Sequence, residues 1–496
     1  MSSEQLADLV RDAALRAPDR TALIHRTQSL SWGELAGQVE RVAGALIALG
    51  LQPGDRIGLQ LGNTLDFPPA FFGALRAGLT VVPINPAFTE PELATVLEDS
   101  AARVLVTASV AAERLGVTEL IVAGRQIPDG AHGLADLIAT GTPGEARHTD
   151  VAALVYTSGT SGRPRGAMLT HRALLGNLDQ CGRLDPPVLQ ANDVLLLALP
   201  LFHVYGLGPG LGMLARAGAT GVLVDRFDPV ETLAVMAEHR VTSVLGAPAM
   251  YRAWTTAAVE PGAVATGFGT VRLAMSGAAP LPAAVAERLR AITTVPIQQG
   301  YGLTETGPVL TCTVGFPDKP GSIGRPIPGV ELWLRDEDGE PVEEGDPGEV
   351  VVRGRNLFSG YWPDGLDGPD DAGWFATGDV AYLDPDGDLH LVDRRKELII
   401  VSGFNVYPAE VEAVLLAHPA VTEAAVVGIP DEHRGEAIRA FVVLTGSGGG
   451  TGAAELASWC ARSLARFKCP TEFEIVGELP HSATGKVRKA RLRSDS

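Results

Sequence analysis

Val151-Ala152-Ala153-Leu154-Val155-Tyr156-Thr157-Ser158-Gly159-Thr160-Ser161-Gly162-Arg163-Pro164-Arg165-Gly166 runs from an apolar stretch into a loop of glycines, hydroxyls and guanidiniums. The apolar part reads as a buried strand, and a helix is predicted from Thr170. Gly159, Gly162 and Gly166 let backbone N–H groups converge on an anion. Thr157, Ser158, Thr160 and Ser161 add hydroxyls, and Arg163 and Arg165 add cations, so phosphate oxygens are the expected guests. The alternative is a plain Ser/Gly linker. Linkers rarely sit directly behind an apolar strand and end in Pro-Arg-Gly. The spacing GxxxxGK[ST] is absent, which disfavours an ordinary P-loop NTPase.

Outward from this loop, helix and strand alternate. Ser31-Trp32-Gly33-Glu34 is a capping-box pattern, and Leu35, Val39, Val42, Leu46 and Leu49 follow at helical spacing. Gly50 is a natural stop, and Asp55–Leu61 then alternates as a strand. The same rhythm recurs through Phe71–Val82, Leu93–Val106, Val230–Leu245 and Ala284–Pro296. Interleaving of this kind predicts largely parallel sheets covered on both faces. From about Gly321 short β-like runs take over (Val330–Arg335, Glu349–Arg353, Leu389–Val392), separated by turns at Asp336–Gly339 and Asp384–Gly387. After Asp393 comes a further small unit: a strand at Glu397–Val401, a helix opened by Pro408, strands at Ala424–Gly428 and Ile438–Leu444, and a helix at Leu456–Ala465. We place the domain boundary at 393/394, with a β-rich part at 321–393 and a C-terminal domain at 394–496.

The composition sets limits on partners. Lys+Arg 40 against Asp+Glu 59 gives a net charge of −19, which argues against nucleic acid or an anionic membrane as partner. A polyanion must then be held by local donors. Cys181, Cys312, Cys460 and Cys469 make no CxxC pair and read as free, mostly buried thiols of a reducing compartment. The N-terminal residues lack the layout of a signal peptide, and Val194–Leu201 is too short to span a bilayer. A soluble, cytoplasmic protein is expected.

A second cluster is Gln299-Gly300-Tyr301-Gly302-Leu303-Thr304-Glu305-Thr306. Glycines flanking an aromatic allow a ring to lie flat on a base. Thr304 offers a hydroxyl to phosphate and Glu305 a hard oxygen to Mg²⁺. In chain order these two stretches, then Trp374-Phe375-Ala376-Thr377-Gly378-Asp379 and Thr484-Gly485-Lys486, closely resemble the motifs of the acyl-CoA synthetase, peptide-synthetase adenylation and firefly-luciferase superfamily. The likeness covers nearly the whole chain. Two residues depart from the family loop YTSGTTGxPKG: Ser161 stands for Thr, and Arg165 stands for Lys.

The resemblance implies an α/β fold: a large N-terminal domain of two α/β subdomains plus a β-rich subdomain, and a small mobile C-terminal α+β domain. It implies ATP and coenzyme A as co-substrates and Mg²⁺ as cofactor. Residues 157–162 (Thr157, Ser158, Gly159, Thr160, Ser161 and Gly162) with Arg165 would hold the β- and γ-phosphates, and later the departing pyrophosphate. Tyr301 and Gly302 would meet adenine, Thr304 the α-phosphate, and Glu305 with Thr160 the metal. Gly277, Ala278 and Ala279, in Ser276–Leu281, would border adenine and the acyl pocket. Asp379, with Arg394 beside it, would hold the ribose. His203, in Pro200-Leu201-Phe202-His203, would gate the junction of acyl and thiol tunnels. Lys396 falls at the hinge, Ser402, Gly403 and Phe404 at the coenzyme A arm, and Lys486 at the nucleotide in the first half-reaction. A carboxylate attacking phosphorus brings anion against anion, so a flexible ammonium lowers the barrier without taking a proton.

The expected acyl pocket draws on Tyr205, Gly206, Gly208, Met250, Tyr251, Ala278, Gly300 and Gly307–Val309. These are small or apolar, with no arginine to pair a second carboxylate, so a monoacid is expected. The overall pattern looks most like medium/long-chain fatty acyl-CoA ligases, with an aryl acid as the alternative. Coenzyme A is favoured over a carrier-protein thiol because no carrier domain is visible. A non-catalytic acyl-nucleotide sensor and a luciferase-like oxygenase are the readings from other classes, and a homodimer is left open. Lys486→Ala should abolish acid-dependent pyrophosphate release while largely sparing transfer from supplied acyl-AMP to coenzyme A. Adenylation at near wild-type rate would remove Lys486 from this role.

Overall fold

The apolar run that precedes the glycine- and hydroxyl-rich segment is a strand, Val151–Ser158, lying parallel to Thr80–Pro83. This computed structural model describes residues 5–494 except 110–115, 125, 159–163, 257, 337, 344, 395–398, 402, 403, 407, 432–434, 446–450, 465, 482–484 and 486. The sheet containing Val151–Ser158 has seven strands. Its order is His132–Gly133, Glu119–Val122, Val104–Thr107, Arg56–Gln60, Thr80–Pro83, Val151–Ser158 and Pro164–Thr170. Only the last pairing is antiparallel. Thr80–Pro83 and Val104–Thr107 are buried throughout, as parallel strands covered on both faces must be.

The covering helices follow from local sequence. At Ser31 the predicted capping box forms: the Ser31 hydroxyl accepts from Glu34 N at 3.2 Å, and Glu34 Oε2 accepts from Ser31 N at 2.7 Å. Leu35, Val39, Val42 and Leu46 of the helix Trp32–Ala48 are buried, and Gly50 takes φ 80° just past its end. The helix Phe67–Arg76 crosses Trp32–Ala48 at Gly73, where a Cβ would stand 2.6 Å from Val42. Backbones this close exclude a larger residue.

A second sheet of nine strands reads Arg325–Pro326, Val309–Cys312, Ile297–Gly302, Leu273–Ser276, Ser243–Gly246, Val194–Leu197, Thr220–Leu223, Thr21–His25 and Gln28–Ser31. It is parallel from Ile297–Gly302 to Thr21–His25 and antiparallel at both ends. The antiparallel return at one end presents the Thr304–Thr306 turn.

The β-rich part is a four-stranded sheet, Val330–Arg335, Gly348–Gly354, Trp374–Leu383 and Leu389–Arg394. The C-terminal part has a five-stranded sheet with Val421–Asp431 and Gly435–Leu444 as its long antiparallel pair. The helices Pro408–Leu416 and Ala453–Ser463 cover a core that includes Ile399, Val406, Val411, Val426, Val442 and Leu456. Compactness divides the chain into two units, Met1–Glu331 with Arg353–Phe375, and Leu332–Val352 with Ala376–Ser496. Position 393/394, where the sequence suggested a boundary, lies at the end of the strand Leu389–Arg394 in the second unit. Cys181, Cys312 and Cys460 are buried free thiols.

Thr170 caps the helix His171–Cys181, its hydroxyl accepting from Ala173 N at 3.0 Å. His171 is buried, and its Nδ1 accepts from Leu6 N at 3.2 Å, tying the first helix, Leu6–Arg16, to this one. Burial, then the neighbouring His148, pushes the His171 imidazole from its ordinary 6.5 down to about 4. Between those values the unfolded chain takes a proton that the fold refuses. Stability from this group is therefore intact above about pH 6.5 and is lost progressively as pH falls to about 4. Thermal melts across this window should show that loss, and His171→Asn should flatten the slope.

Candidate active site

Val151–Ser158 and Pro164–Thr170 form a hairpin with Thr157 opposite Arg165 and Ser158 opposite Pro164. Gly159, Thr160, Ser161 and Gly162 belong to the intervening segment, outside the described residues. The base of the hairpin is pinned: the Tyr156 ring lies over Gly166, 3.2 Å from where a Cβ would be, and its hydroxyl donates to Asp99 Oδ2 at 2.5 Å. Burial, and then Asp99, pushes this hydroxyl's pKa up, so it stays a donor.

A distant segment, 358–362, runs along the outer strand of the hairpin. Ser359 N donates to Met168 O at 3.0 Å, Met168 N to Gly360 O at 3.0 Å, and Trp362 N to Gly166 O at 2.8 Å. At its other end Phe358 N donates to Glu305 O at 2.9 Å, and the Tyr361 hydroxyl donates to Glu305 Oε1 at 2.5 Å. A hydrogen bond to a charged acceptor contributes about 1.5–3 kcal/mol. Burial first, then the Glu305 charge, raises the Tyr361 pKa and keeps the phenol protonated. Arg165 stands over the same ring, its Cζ 3.8 Å from the centroid, and Nη2 meets Asp367 Oδ2 at 2.7 Å.

The Thr304–Thr306 turn is built from within as well. Thr306 is fully buried; its hydroxyl accepts from Leu303 N at 2.9 Å and donates to Pro308 O at 2.8 Å. Asn356, also fully buried, donates to Thr306 O at 2.8 Å and accepts from Gln180 Nε2 at 3.2 Å. Gly302 leaves no room for a side chain: a Cβ would stand 1.7 Å from Pro308 O. These ties leave Thr304 and Glu305 partly exposed on a fixed turn, with Tyr301 9% exposed behind them.

On the neighbouring strand, Leu273–Ser276, the chain turns through Ala278 at φ 70°, a left-handed conformation that costs a non-glycine residue about 1–2 kcal/mol. Ala278 and Ala279 reach solvent, whereas Gly277 lies under the Tyr205 ring, 3.1 Å from where its Cβ would be. Gly208 faces Pro308 Cδ at 3.3 Å, and Gly300 faces Met275 Cε at 3.8 Å, each measured from a Cβ position. The structure therefore brings Tyr205, Gly208, Gly277 and Gly307–Pro308 together. Met250 and Tyr251 are buried, the Tyr251 hydroxyl donating to Met275 O at 2.7 Å. Gly206 directs its missing side chain at Pro200 O, 2.2 Å from a Cβ, and so permits the loop to close on itself.

His203 sits one turn before this group. Burial pushes its pKa down to about 4, and its Nδ1 accepts from Tyr205 N at 3.2 Å, which assigns the proton to Nε2. The ring is therefore neutral at neutral pH.

In the second unit Asp379 and Arg394 are directly opposed across the antiparallel pair Trp374–Leu383 and Leu389–Arg394. Asp379 is 6% exposed, and its N donates to the Thr377 hydroxyl at 3.2 Å. The turn that joins the strands is set by Asp384 Oδ1, which accepts from Asp386 N and Asp388 N, each at 3.0 Å. Phe404 begins the strand Phe404–Val406, while Lys396, Ser402, Gly403 and Lys486 lie outside the described residues. Near the C-terminus His481 pairs with Glu423 at 3.0 Å and bridges Val487 across Gly485, which takes φ 79°.

Sequence reasoning missed Tyr361, Asp367, Thr306 and Asn356 as supports of the site. Of these only Tyr361 carried a local sign, an aromatic doublet with Trp362 in a turn-rich stretch. Among the described residues no group of three His, Cys, Asp or Glu side chains could hold a metal. Mg²⁺ is ordinarily held by one or two carboxylates plus substrate phosphates, and Glu305, with Oε1 taken by Tyr361 and Oε2 remaining, fits that donor set.

The model of the AMP-binding enzymes matches residues 10–362, and that of their C-terminal domain matches residues 410–486. This chain belongs to the AMP-binding, adenylate-forming superfamily. Within it, the chain is 35% identical over 99% of its length to a long-chain-fatty-acid–CoA ligase of Yersinia pestis, covering 94% of that protein. It is 37% identical to a feruloyl-CoA synthase of an Amycolatopsis species, over 97% of this chain and 96% of the other. Among solved structures, ATP-bound MatB of Rhodopseudomonas palustris superposes with a TM-score of 0.89 at 32% identity, over 99% of this chain and 98% of that one. No helix among the described residues is long and apolar enough to cross a membrane.

A misplacement of catalytic groups by about 1 Å can cost roughly 100-fold in rate. Gly302→Ala should therefore lower acid-dependent pyrophosphate release by about that factor. Gly300→Ala, whose Cβ would find 3.6 Å to its nearest neighbour, should fold normally and alter only acid preference. Steady-state kinetics on both variants separates the two roles.

Proposed function

We propose that this AMP-binding enzyme is an AMP-forming acid–CoA ligase acting on an apolar monocarboxylic acid. The observation that carries the reading is the fixed Thr304–Glu305 turn, tied through 358–362 to the hairpin whose loop is rich in phosphate donors. ATP is the co-substrate that such a loop suits, and the matched family and its ATP-bound member support it. In the first half-reaction the acid's carboxylate oxygen attacks the α-phosphorus, and the bond to pyrophosphate breaks. In the second the coenzyme A thiol attacks the acyl carbonyl and AMP leaves.

The residues divide this work. Thr304 donates its hydroxyl to the α-phosphate, and the hairpin loop cradles the departing pyrophosphate. Magnesium, when bound at Glu305, neutralises phosphate charge. Lys486 supplies the mobile cation of the first step, and Asp379 with Arg394 holds the ribose. Neutral His203 gates the acyl–thiol junction. Charge stabilisation at preorganised donors is the main source of acceleration in such a site.

For the acid, a medium- or long-chain fatty acid is the first reading, supported by the Yersinia relative and by the apolar pocket residues. An aryl acid is the second. It is favoured by the Tyr205 ring lying against Gly277, a flat aromatic wall at the turn assigned to the acyl group, and by the feruloyl-CoA synthase relative. Pyrophosphate release with octanoate, palmitate, benzoate and ferulate distinguishes the two. Fatty acids ahead by tenfold or more uphold the first reading, and ferulate or benzoate ahead upholds the second. Release with acid but thioester formation only on a phosphopantetheinylated carrier would replace coenzyme A as acceptor. Silence with every acid would leave a nucleotide-binding sensor.

A further inference from the structure

Arg165 stands where the family loop carries lysine, and its contacts point away from a simple phosphate grip. Its Nη2 meets Asp367 Oδ2 at 2.7 Å, and its Cζ lies 3.8 Å from the Tyr361 ring centroid. The Tyr361 hydroxyl in turn donates to Glu305 Oε1 at 2.5 Å. Two contacts in series thus connect the loop's cation to the carboxylate assigned to the metal, and Asp367 anchors the cation from the other side.

Each link is mechanically backed. Tyr361 cannot slide, because it bridges Ala167 and its neighbours hydrogen-bond to Gly166 and Met168. Glu305 is held at its carbonyl by Phe358 N at 2.9 Å. A planar guanidinium can give one nitrogen to Asp367 while its centre stays over the ring, which a point-like ammonium does less well. Positive charge above the ring draws electron density from the phenol and strengthens it as a donor. Asp367 balances that charge, so Glu305 keeps its attraction for a cation.

We propose that Arg165 is a positioning residue for the metal ligand: anchored by Asp367, it fixes Tyr361, and Tyr361 orients Glu305 by one oxygen, leaving the second for the nucleotide-bound cation. This rests on the reading of Glu305 as the magnesium ligand. This replaces the grip on the β- and γ-phosphates that family likeness gave Arg165, because its guanidinium is taken up by Asp367 and the Tyr361 ring, and Tyr361 is assigned no contact with the reacting atoms.

The test measures binding of the non-cleavable α,β-methylene-ATP to the full-length enzyme by calorimetry, with Mg²⁺ and with EDTA. The ratio of the two dissociation constants reports the metal's contribution alone. Tyr361→Phe and Arg165→Gln should each cut that ratio about tenfold, the usual scale for a residue that orients a metal ligand. Both should leave the EDTA value unchanged. Because both act on one element, the double variant should be no worse than the weaker single. Should Arg165→Gln fail to fold, Asp367→Asn, which alters an exposed carboxylate, carries the same expectation. Weaker binding in EDTA on loss of the Arg165 charge, or effects that multiply in the double variant, would overturn the proposal and make Arg165 a direct phosphate ligand. A wild-type enzyme whose nucleotide affinity ignores Mg²⁺ would instead undo the assignment of Glu305 itself.

Discussion

Phosphoryl chemistry needs donors that stay put while charge moves, and here that rigidity comes from a strip of backbone hydrogen bonds. Residues 358–362 pair with Gly166 and Met168 on one side and with Glu305 on the other. The strip joins the strand Pro164–Thr170 of one sheet to the Thr304–Thr306 turn at the end of another. Buried Asn356 and Thr306 close the remaining gaps with bonds of 2.8 Å to main-chain carbonyls. Each such group would be costly to bury unpaired, so the ties are mutually required.

The same economy of packing explains the glycines. Gly302 and Gly73 mark sites where main chain or helix passes within a bond length or two of a would-be side chain. Ala278 is the opposite case, a residue with a side chain in a left-handed turn. Strain of that size persists only where neighbouring structure fixes the chain, as it does between Gly246 and the Tyr205 ring.

How much of this was legible depended on range. The Ser31 cap, the strand before the loop and the helix after Thr170 are short-range patterns, and each formed where the sequence placed it. Asp379 and Arg394, assigned together through family likeness, turned out to be opposed across one ladder. The strip was not readable, because Tyr361 and Glu305 are far apart in sequence and no periodicity links them. Arg165 illustrates the same limit. Its identity announced a cation near phosphate, but only the fold revealed Asp367 and the aromatic ring that occupy it. The division of the chain showed a similar dependence on range. A change of texture near Gly321 was visible, whereas the grouping of Leu332–Val352 with Ala376–Ser496 emerges from tertiary packing.

The opposed pair Asp379 and Arg394 has a consequence for how this segment can vary. Residues facing each other across a ladder share one side of the sheet, and a slip of a single position sends a side chain to the other. The connecting turn, wound around Asp384, thereby becomes a ruler. Its amino acids can drift, provided the first carboxylate stays, whereas a change of length bears directly on the register. An insertion or deletion of one residue there would have to be absorbed at the register shift beside Val380 and Ala381, or position 394 would no longer stand opposite Asp379.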